Sequence, residues 1–228
     1  MIGVYDSGSG GLTALSHLVR LAPDADLFYR GDLKNAPYGI KSAAQLVPII
    51  EENTNRFLSL GVEHILVACV TASSLYSYLS PNIRAHLYPI THAVANAAAR
   101  ATASGRIGVV STTRTMREGV LCRLLTERAY PPTQSTADPL VRLAEQGITD
   151  PEHPEVREAV RAACLVHKRA GVDTLVLGCT HFPLFAKAFA AQMGEGVSLI
   201  DSGYEGAIAF LTQIPKDVLV GQGQVHFI

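Results

Sequence analysis

An internal repeat with a spacing near 110 residues is the feature that most constrains the fold of this chain. Residues 61–69 and 171–179 share one pattern: Gly-Val, an acidic residue, a variable residue, an apolar strand, a small residue and Cys. A second pair of segments, 2–4 and 107–109, repeats Ile-Gly-Val at a spacing of 105 residues. Two matches at nearly one spacing predict two related lobes. A common helix-to-strand turn would also explain Gly-Val-acid, but it leaves the paired cysteines unexplained.

Short apolar, β-branched runs alternate with helical patterns along the chain. The predicted strands are residues 2–5, 27–29, 65–68, 107–110, 175–177 and 197–200. This alternation is typical of βαβ units with parallel sheets, and continuous apolar strands suit sheets that are covered on both faces. We therefore expect an α/β fold of two related, pseudo-symmetric lobes with mainly parallel sheets and an active site in the cleft between them.

The lobe boundaries follow from the repeat and from turn-rich segments. We expect the first lobe to comprise residues 1–90 together with 204–228, and the second lobe to comprise residues 91–203. A helix is predicted over residues 42–60, where Pro48 requires either a place in the first turn or a break nearby.

Charge and composition exclude several classes of protein. The 228 residues carry 19 basic and 20 acidic side chains, and this balance argues against a large basic surface for nucleic acid. No apolar run approaches the roughly 18 residues of a membrane span. The N-terminal segment lacks the features of a secretory signal, and four cysteines are too few for a disulfide framework. We expect a cytoplasmic protein with reduced cysteines.

Two of the four cysteines stand where chemistry is expected. Cys69 and Cys179 each follow a predicted strand and precede a helix. Ligands bind at the carboxyl ends of parallel strands, and a helix N-terminus stabilises a thiolate. If the lobes face each other, two thiols flank one cleft, and one could remove a proton from a carbon while the other returns a proton to the opposite face. Cys122 and Cys164 lie in helical patterns and are predicted to pack in the core.

Asp6 opens a glycine-rich turn after the first strand. Its carboxylate could act as a base toward a thiol, bind an ammonium group, or cap the helix that begins near Gly11. The segment differs from Gly-x-Gly-x-x-Gly because Thr13 stands at the third position. Dinucleotide binding, with Asp32 on the ribose, is therefore the least favoured alternative.

His181 follows the second of these cysteines by two residues. It is a candidate general acid or thiol activator, with a structural hydrogen bond as the alternative. No His or Cys pair has the spacing of a zinc site, so no metal is expected. Residues 37–39, Pro-Tyr-Gly, form a turn that would present a backbone N–H and a phenol near the first cleft wall.

Five segments together form a recognisable set. They are Asp6-Ser7-Gly8-x-Gly10-Gly11-Leu12-Thr13, Gly31-Asp32 with Pro37-Tyr38-Gly39, Ala68-Cys69-x-Thr71-Ala72-Ser73, Gly178-Cys179-Thr180-His181-x-Pro183, and Asp201-Ser202-Gly203. In this order, and over nearly the whole chain, they resemble the glutamate racemases of the aspartate/glutamate racemase superfamily. The resemblance implies a cofactor-independent isomerase that interconverts L- and D-glutamate and supplies D-glutamate for peptidoglycan.

The resemblance also implies roles for particular residues. Cys69 and Cys179 would be the two acid/base thiols on opposite faces of Cα, with Asp6 assisting the first and His181 assisting the second. Glu145 matches a family acid near the second thiol. The positions implied to contact the substrate are Asp6, Ser7, Tyr38, Gly39, Val70, Thr71, Thr180 and His181. A small acidic amino acid is the expected ligand, and family members are commonly homodimers.

Three departures from the family pattern leave alternatives open. Val70 stands where the family has a substrate-binding Asn, and a lost hydrogen bond to a charged group is worth about 1.5–3 kcal/mol. Asn35 stands where Arg is usual. The chain stops at residues 226–228, where family members continue into a closing helix, so a truncated chain or a shortened paralogue is expected. The alternative functions are racemisation of aspartate or another acidic amino acid, and non-catalytic binding of an amino acid by a regulatory paralogue.

Overall fold

The apolar runs form two parallel sheets, and helices cover both faces of each. The computed structural model describes residues 1–228. The strands are β1 (Ile2–Asp6), β2 (Leu27–Gly31), β3 (Ile65–Val67), β4 (Leu87–Pro89), β5 (Ile107–Ser111), β6 (Thr133–Thr136), β7 (Thr174–Gly178), β8 (Ser198–Asp201) and β9 (Val225–Phe227). The helices are α1 (Leu12–Leu21), α2 (Ala43–Ser59), α3 (Val70–Ser74), α4 (Pro81–Arg84), α5 (Thr91–Ala101), α6 (Thr113–Glu118), α7 (Val120–Glu127), α8 (Asp138–Glu145), α9 (Pro154–Arg169), α10 (Ala186–Met193) and α11 (Ser202–Gln213).

The strand order repeats between the two sheets. The first sheet has the order β4-β3-β1-β2-β9, and the second has the order β6-β5-β7-β8. Reading the second sheet backwards pairs β8, β7, β5 and β6 with β4, β3, β1 and β2, and all neighbouring strands are parallel. The predicted α/β fold of two related lobes is therefore confirmed, and we call the lobes after these two sheets.

The repeated glycines have matching structural roles. Gly61 and Gly171 have φ values of +77° and +62°, a left-handed conformation that favours glycine between a helix and a strand. Gly3 and Gly108 each lie under an aromatic ring, because a Cβ there would be 3.0 Å from the ring of Phe57 and 2.6 Å from the ring of His167. These two rings are themselves 110 residues apart, so the repeat extends to the packing of helix on sheet.

A single large apolar cluster joins the lobes. It contains 27 buried residues and draws on strands of both sheets, together with helices α1, α5, α7 and α11. Two smaller clusters cover the outer faces, one under α2 in the first lobe and one under α8, α9 and α10 in the second. The strands that carry the predicted thiols are thus held by a core that both lobes share.

The C-terminal segment pairs with the first sheet. Strand β9 adds to β2 in parallel, and helix α11 packs against α1 and α5. The division of the chain at residues 90 and 203 stays a prediction. No helix has the length and apolar character that a membrane crossing requires.

Two details differ from the sequence-based expectations. Pro48 lies inside α2, beyond its first turn, and the helix continues without a break. Because proline has no N–H, the carbonyl of Ala44 lacks its helical partner. Pro48 and Ala44 are both exposed, so water can satisfy that carbonyl. Cys122 is only half-buried and belongs to none of the apolar clusters, whereas Cys164 is buried in the second lobe as predicted.

His167 is a buried polar residue that ties α9 to the edge strand β6. Its Nδ1 lies 2.7 Å from the hydroxyl of Thr133, and its Nε2 lies 2.8 Å from the hydroxyl of Ser135. Burial lowers the pKa of His167 to about 4. The folded state therefore holds this ring neutral at a pH where an unfolded chain would already be protonated.

We predict that stability depends on pH through His167. Since its folded pKa lies below the unfolded value of about 6.5, the unfolded state binds the proton first as the pH falls. The stabilisation is complete above pH 6.5, and about 2–3 kcal/mol is lost between pH 6.5 and 4. Urea unfolding of the wild type and of His167→Gln across this range measures it. Equal slopes of unfolding free energy against pH in the two proteins would contradict the prediction.

Candidate active site

The two repeated cysteines line one cavity. Cys69 lies between β3 and α3, and Cys179 follows β7 directly, so each occupies the carboxyl end of a strand beside the first strand of its lobe. The cavity has a volume of about 500 Å³. Both thiols are more than nine-tenths buried. The repeat thus brings two thiols to one cavity, as the sequence predicted.

Most of the predicted site residues contribute to this cavity wall. The lining includes Ser7, Tyr38, Gly39, Cys69, Val70, Thr71, Glu145, Cys179, Thr180 and His181. Asp6 lies behind the wall, fully buried, and contacts it through Thr180.

Asp6 links the glycine-rich turn of the first lobe to the second lobe. Its carboxylate accepts a hydrogen bond from the Gly8 N–H at 3.0 Å and another from the Thr180 hydroxyl at 3.1 Å. It does not cap α1, which begins after Gly11 without a side-chain cap. Burial raises the pKa of Asp6 to about 6, even though His181 and the hydrogen bonds oppose the rise.

His181 connects the second thiol to a carboxylate. Its Nε2 lies 2.7 Å from Oε1 of Glu145, and its Nδ1 lies 3.7 Å from Sγ of Cys179. The carboxylate can only accept, so the neutral ring carries its hydrogen on Nε2 and leaves Nδ1 free to accept the thiol proton. Burial raises the pKa of Glu145, but hydrogen bonds from His181 and from the Ser9 N–H outweigh it and lower the pKa overall.

Glycine is required where the turn of the first lobe meets these residues. A Cβ at Gly10 would lie 2.6 Å from Nδ1 of His181 and 2.6 Å from the hydroxyl oxygen of Thr180. A Cβ at Gly8 would lie 2.7 Å from Oε1 of Glu145. The absence of these side chains lets the backbone approach closely enough to fix the polar groups of the opposite lobe.

The surroundings of both thiols strongly favour the neutral form. Burial raises the pKa of Cys69 to about 12, and the charge of Asp6 adds to the rise while Ser7 opposes it. Burial also raises the pKa of Cys179 well above its usual range. A thiolate in this cavity therefore needs positive charge or hydrogen-bond donors supplied by a ligand.

A cluster of hydroxyl groups forms the wall between the lobes. The hydroxyl of Thr71 lies 3.1 Å from that of Thr112 and 3.0 Å from that of Thr115. The carboxylate of Asp138 accepts hydrogen bonds from the N–H and the hydroxyl of Thr113. Thr112 and Asp138 line the cavity but were absent from the sequence-based set of site residues. The turn after β5 carries hydroxyl residues and is the repeat equivalent of the turn at Asp6. This feature of the sequence could have identified Thr112 as a site residue.

Two predicted residues have surroundings that limit their roles. The Tyr38 hydroxyl donates to Asp32 at 2.7 Å and also bonds the hydroxyl of Tyr5. Its phenol is thus hydrogen-bonded inside the first lobe. Tyr38 lines the cavity, and contact of its phenol with a ligand stays a prediction. Asp32 also accepts from Asn35 and Asn53, so it is not free to bind a ribose. Val70 is almost fully buried and belongs to the main core.

No group of three or more His, Cys, Asp or Glu side chains is arranged to hold a metal ion. The groups at the cavity that can transfer protons are two thiols, a histidine and carboxylates.

Sequence comparisons with known proteins identify one family. The family model of Asp/Glu/hydantoin racemases matches residues 11–207. The glutamate racemase of Geobacter metallireducens is 36% identical over 210 residues, covering 90% of this chain and 77% of the relative.

Solved structures agree as well. A glutamate racemase isoform from Bacillus anthracis superposes with a TM-score of 0.89 at 30% identity, covering 100% of this chain and 86% of that one. The glutamate racemase of Francisella tularensis in complex with D-glutamate has a TM-score of 0.88 at 23% identity, covering 99% and 86% of the two chains, and shows the fold alone.

We predict that Asp6 controls the reactivity of Cys69. Replacing Asp6 by Asn removes a negative charge that raises the thiol pKa, so more thiolate forms at a given pH. Alkylation of Cys69 by iodoacetamide at pH 8, followed by mass spectrometry, should become several-fold faster in Asp6→Asn. The exposed Asp24→Asn is the matched control and should leave the rate unchanged. A slower or equal rate in Asp6→Asn would show that its charge does not govern this thiol.

Proposed function

Because the chain belongs to the Asp/Glu/hydantoin racemase family, we propose that it is a cofactor-independent glutamate racemase, an isomerase that interconverts L- and D-glutamate. The proposal includes a supply of D-glutamate for peptidoglycan, a cytoplasmic location and a homodimer, which are the family properties that the sequence resemblance implies. One observation carries it: two thiols from equivalent positions of the two lobes line the same cavity.

The proposed reaction is a proton exchange at Cα. One cysteine, as thiolate, removes the Cα proton and becomes a thiol, while the electron pair remains on a carbanion-like Cα. The other cysteine, as thiol, delivers its proton to the opposite face and becomes a thiolate. Thiol and thiolate thus exchange roles in each turnover, and the mirror-image product forms without a net change in protons.

The difficult step is formation of charge on Cα and the α-carboxylate. Preorganised donors in a cavity that excludes water stabilise such charge. The backbone N–H groups near Ser7 and Gly39 and the hydroxyl of Thr71 are the donors that we propose to hold the α-carboxylate. Thr180 is proposed to contribute through its backbone, since its hydroxyl donates to Asp6. Tyr38 is proposed to contribute through its backbone, since its hydroxyl is engaged by Asp32.

Each thiol has its own assisting group in this scheme. His181, oriented by Glu145, accepts the proton of Cys179 on Nδ1 and returns it during the opposite reaction. Asp6 is proposed to assist Cys69 and to favour binding of the substrate ammonium group by its negative charge. An ammonium group near the buried thiols also favours the thiolate that catalysis requires.

Val70 supports a second candidate function. Its side chain offers no hydrogen bond to a bound amino acid, and racemisation of aspartate or another acidic amino acid is therefore the alternative. Amino-acid binding without turnover is the alternative outside enzymes. Incubation of the protein with a panel of amino acids in D₂O, scored by α-deuterium incorporation, separates these functions. Binding of glutamate without exchange would support the regulatory alternative.

We predict that both Cys69→Ala and Cys179→Ala lose racemase activity by about 10³-fold or more, because each removes an acid/base group that no neighbour replaces. Circular dichroism of L- and D-glutamate solutions measures the loss. Cys122→Ala is the matched control, since Cys122 lies on α7 and outside the cavity, and it should keep full activity. Retention of activity in both active-site variants would overturn the two-thiol scheme.

We also predict a loss of activity in acid. The pKa of Asp6 is raised to about 6 by burial, so its carboxylate becomes protonated as the pH falls through 6. If the charged form is required, kcat/KM should fall about tenfold per pH unit below pH 6. The pH profile of the wild type gives this inflection, and Asp6→Asn should lack it. A flat wild-type profile between pH 7.5 and 5 would contradict the proposed role.

A further inference from the structure

One lining residue carries a positive charge that the proposed chemistry does not use. Among the residues around the cavity, Arg142 is the only Lys or Arg. His181 is already bonded to Glu145 and Cys179. Two carboxylates, Asp138 and Glu145, face the same space. A dicarboxylic amino acid adds two further carboxylates, and the one on its side chain needs a cation.

Arg142 lies on the part of α8 that lines the cavity. Glu145 reaches the reaction centre through His181, and Arg142 precedes it by three residues. Residues at this spacing share a helix face with roughly 5–6 Å between their Cβ atoms. The side-chain carboxyl carbon of glutamate lies three carbon–carbon bonds from Cα, roughly 4 Å when extended. An amino acid with Cα between the thiols would hold its side-chain carboxylate inside the cavity that Arg142 also lines.

The present partners of Arg142 leave it free to move. Its guanidinium donates to Glu155 at 2.8 Å and to Gln146 at 3.2 Å. The side chains of Arg142 and Glu155 are 55% and 57% exposed. Exposed ion pairs of this kind contribute little to stability, so a substrate carboxylate in a less hydrated cavity can compete with Glu155 for the guanidinium.

We propose that Arg142 binds the side-chain carboxylate of the substrate and thereby selects dicarboxylic amino acids. The proposal rests on the racemase function proposed above, because it places Cα between the two thiols. It assigns to α8 two separate tasks: Glu145 orients the acid/base histidine, and Arg142 determines specificity.

Glutamate and glutamine provide the direct test, because their side chains have the same shape and differ in charge. Arg142→Met should lower kcat/KM for glutamate by about 10- to 100-fold, mainly through KM, since a charge-assisted hydrogen bond is lost. The slow α-deuterium exchange of glutamine in D₂O should change less than threefold. Arg142→Lys should recover part of the loss. Arg161→Met is the matched control, because Arg161 forms a similar exposed pair with Glu158 away from this cavity.

A second variant keeps the test informative if Arg142→Met fails to fold. Glu155→Gln removes the competing partner of Arg142 and should lower KM for glutamate several-fold with little effect on glutamine. An unchanged preference for glutamate over glutamine in both variants would overturn the assignment. Stabilisation of the wild type and of Arg142→Met against heat by D-glutamate separates the two proposals. If D-glutamate binds but its α-proton does not exchange, the racemase function is wrong, and the stabilisation of the wild type compared with that of Arg142→Met still tests Arg142. If D-glutamate neither binds nor exchanges its α-proton, both proposals are wrong.

Discussion

The site depends on the contact between the glycine-rich turn of the first lobe and Thr180–His181 of the second. Asp6 accepts from Thr180, and Gly10 lies so close to His181 that even one added carbon would collide with it. This contact crosses the lobe boundary and lies beside both thiols. A shift of one lobe relative to the other would separate Cys179 and its histidine from the buried carboxylate of Asp6. The shared apolar core restrains such a shift by joining strands of both sheets.

Burial shifts the pKa values of the site residues and thereby disfavours the thiolate that the proposed reaction needs. It keeps both thiols and Asp6 away from water, which raises the pKa of each group and strengthens every charge interaction inside the cavity. The groups of the protein alone therefore favour neutral thiols beside carboxylates. A zwitterionic amino acid changes that balance, because its ammonium favours a thiolate. The reactive form of the site is thus coupled to the presence of its substrate.

The sequence predicted the fold well because a repeat is a strong constraint. Six of the nine strands, the parallel sheets and the convergence of Cys69 and Cys179 follow from apolar runs along the chain, whereas the strands β4, β6 and β9 were not predicted. The expectation for Pro48 was wrong, since local rules could not reveal that this part of the helix is exposed. Local rules also could not reveal that the Tyr38 hydroxyl donates to the buried Asp32. Arg142 gave no sequence signal, because an arginine on an amphipathic helix is ordinarily a solvated residue.

By itself, the sequence determined which residues end equivalent strands, because strand periodicity and the glycine turns before the strands are local properties of the chain. Only the tertiary structure decided which side chains complete the site. Glu145 meets His181, and Thr71 meets Thr112, through contacts between residues far apart in the chain. Such pairings depend on how two sheets and their helices pack around one core. For the same reason, the raised pKa values of the thiols exist only in the folded protein, where burial removes water from around them.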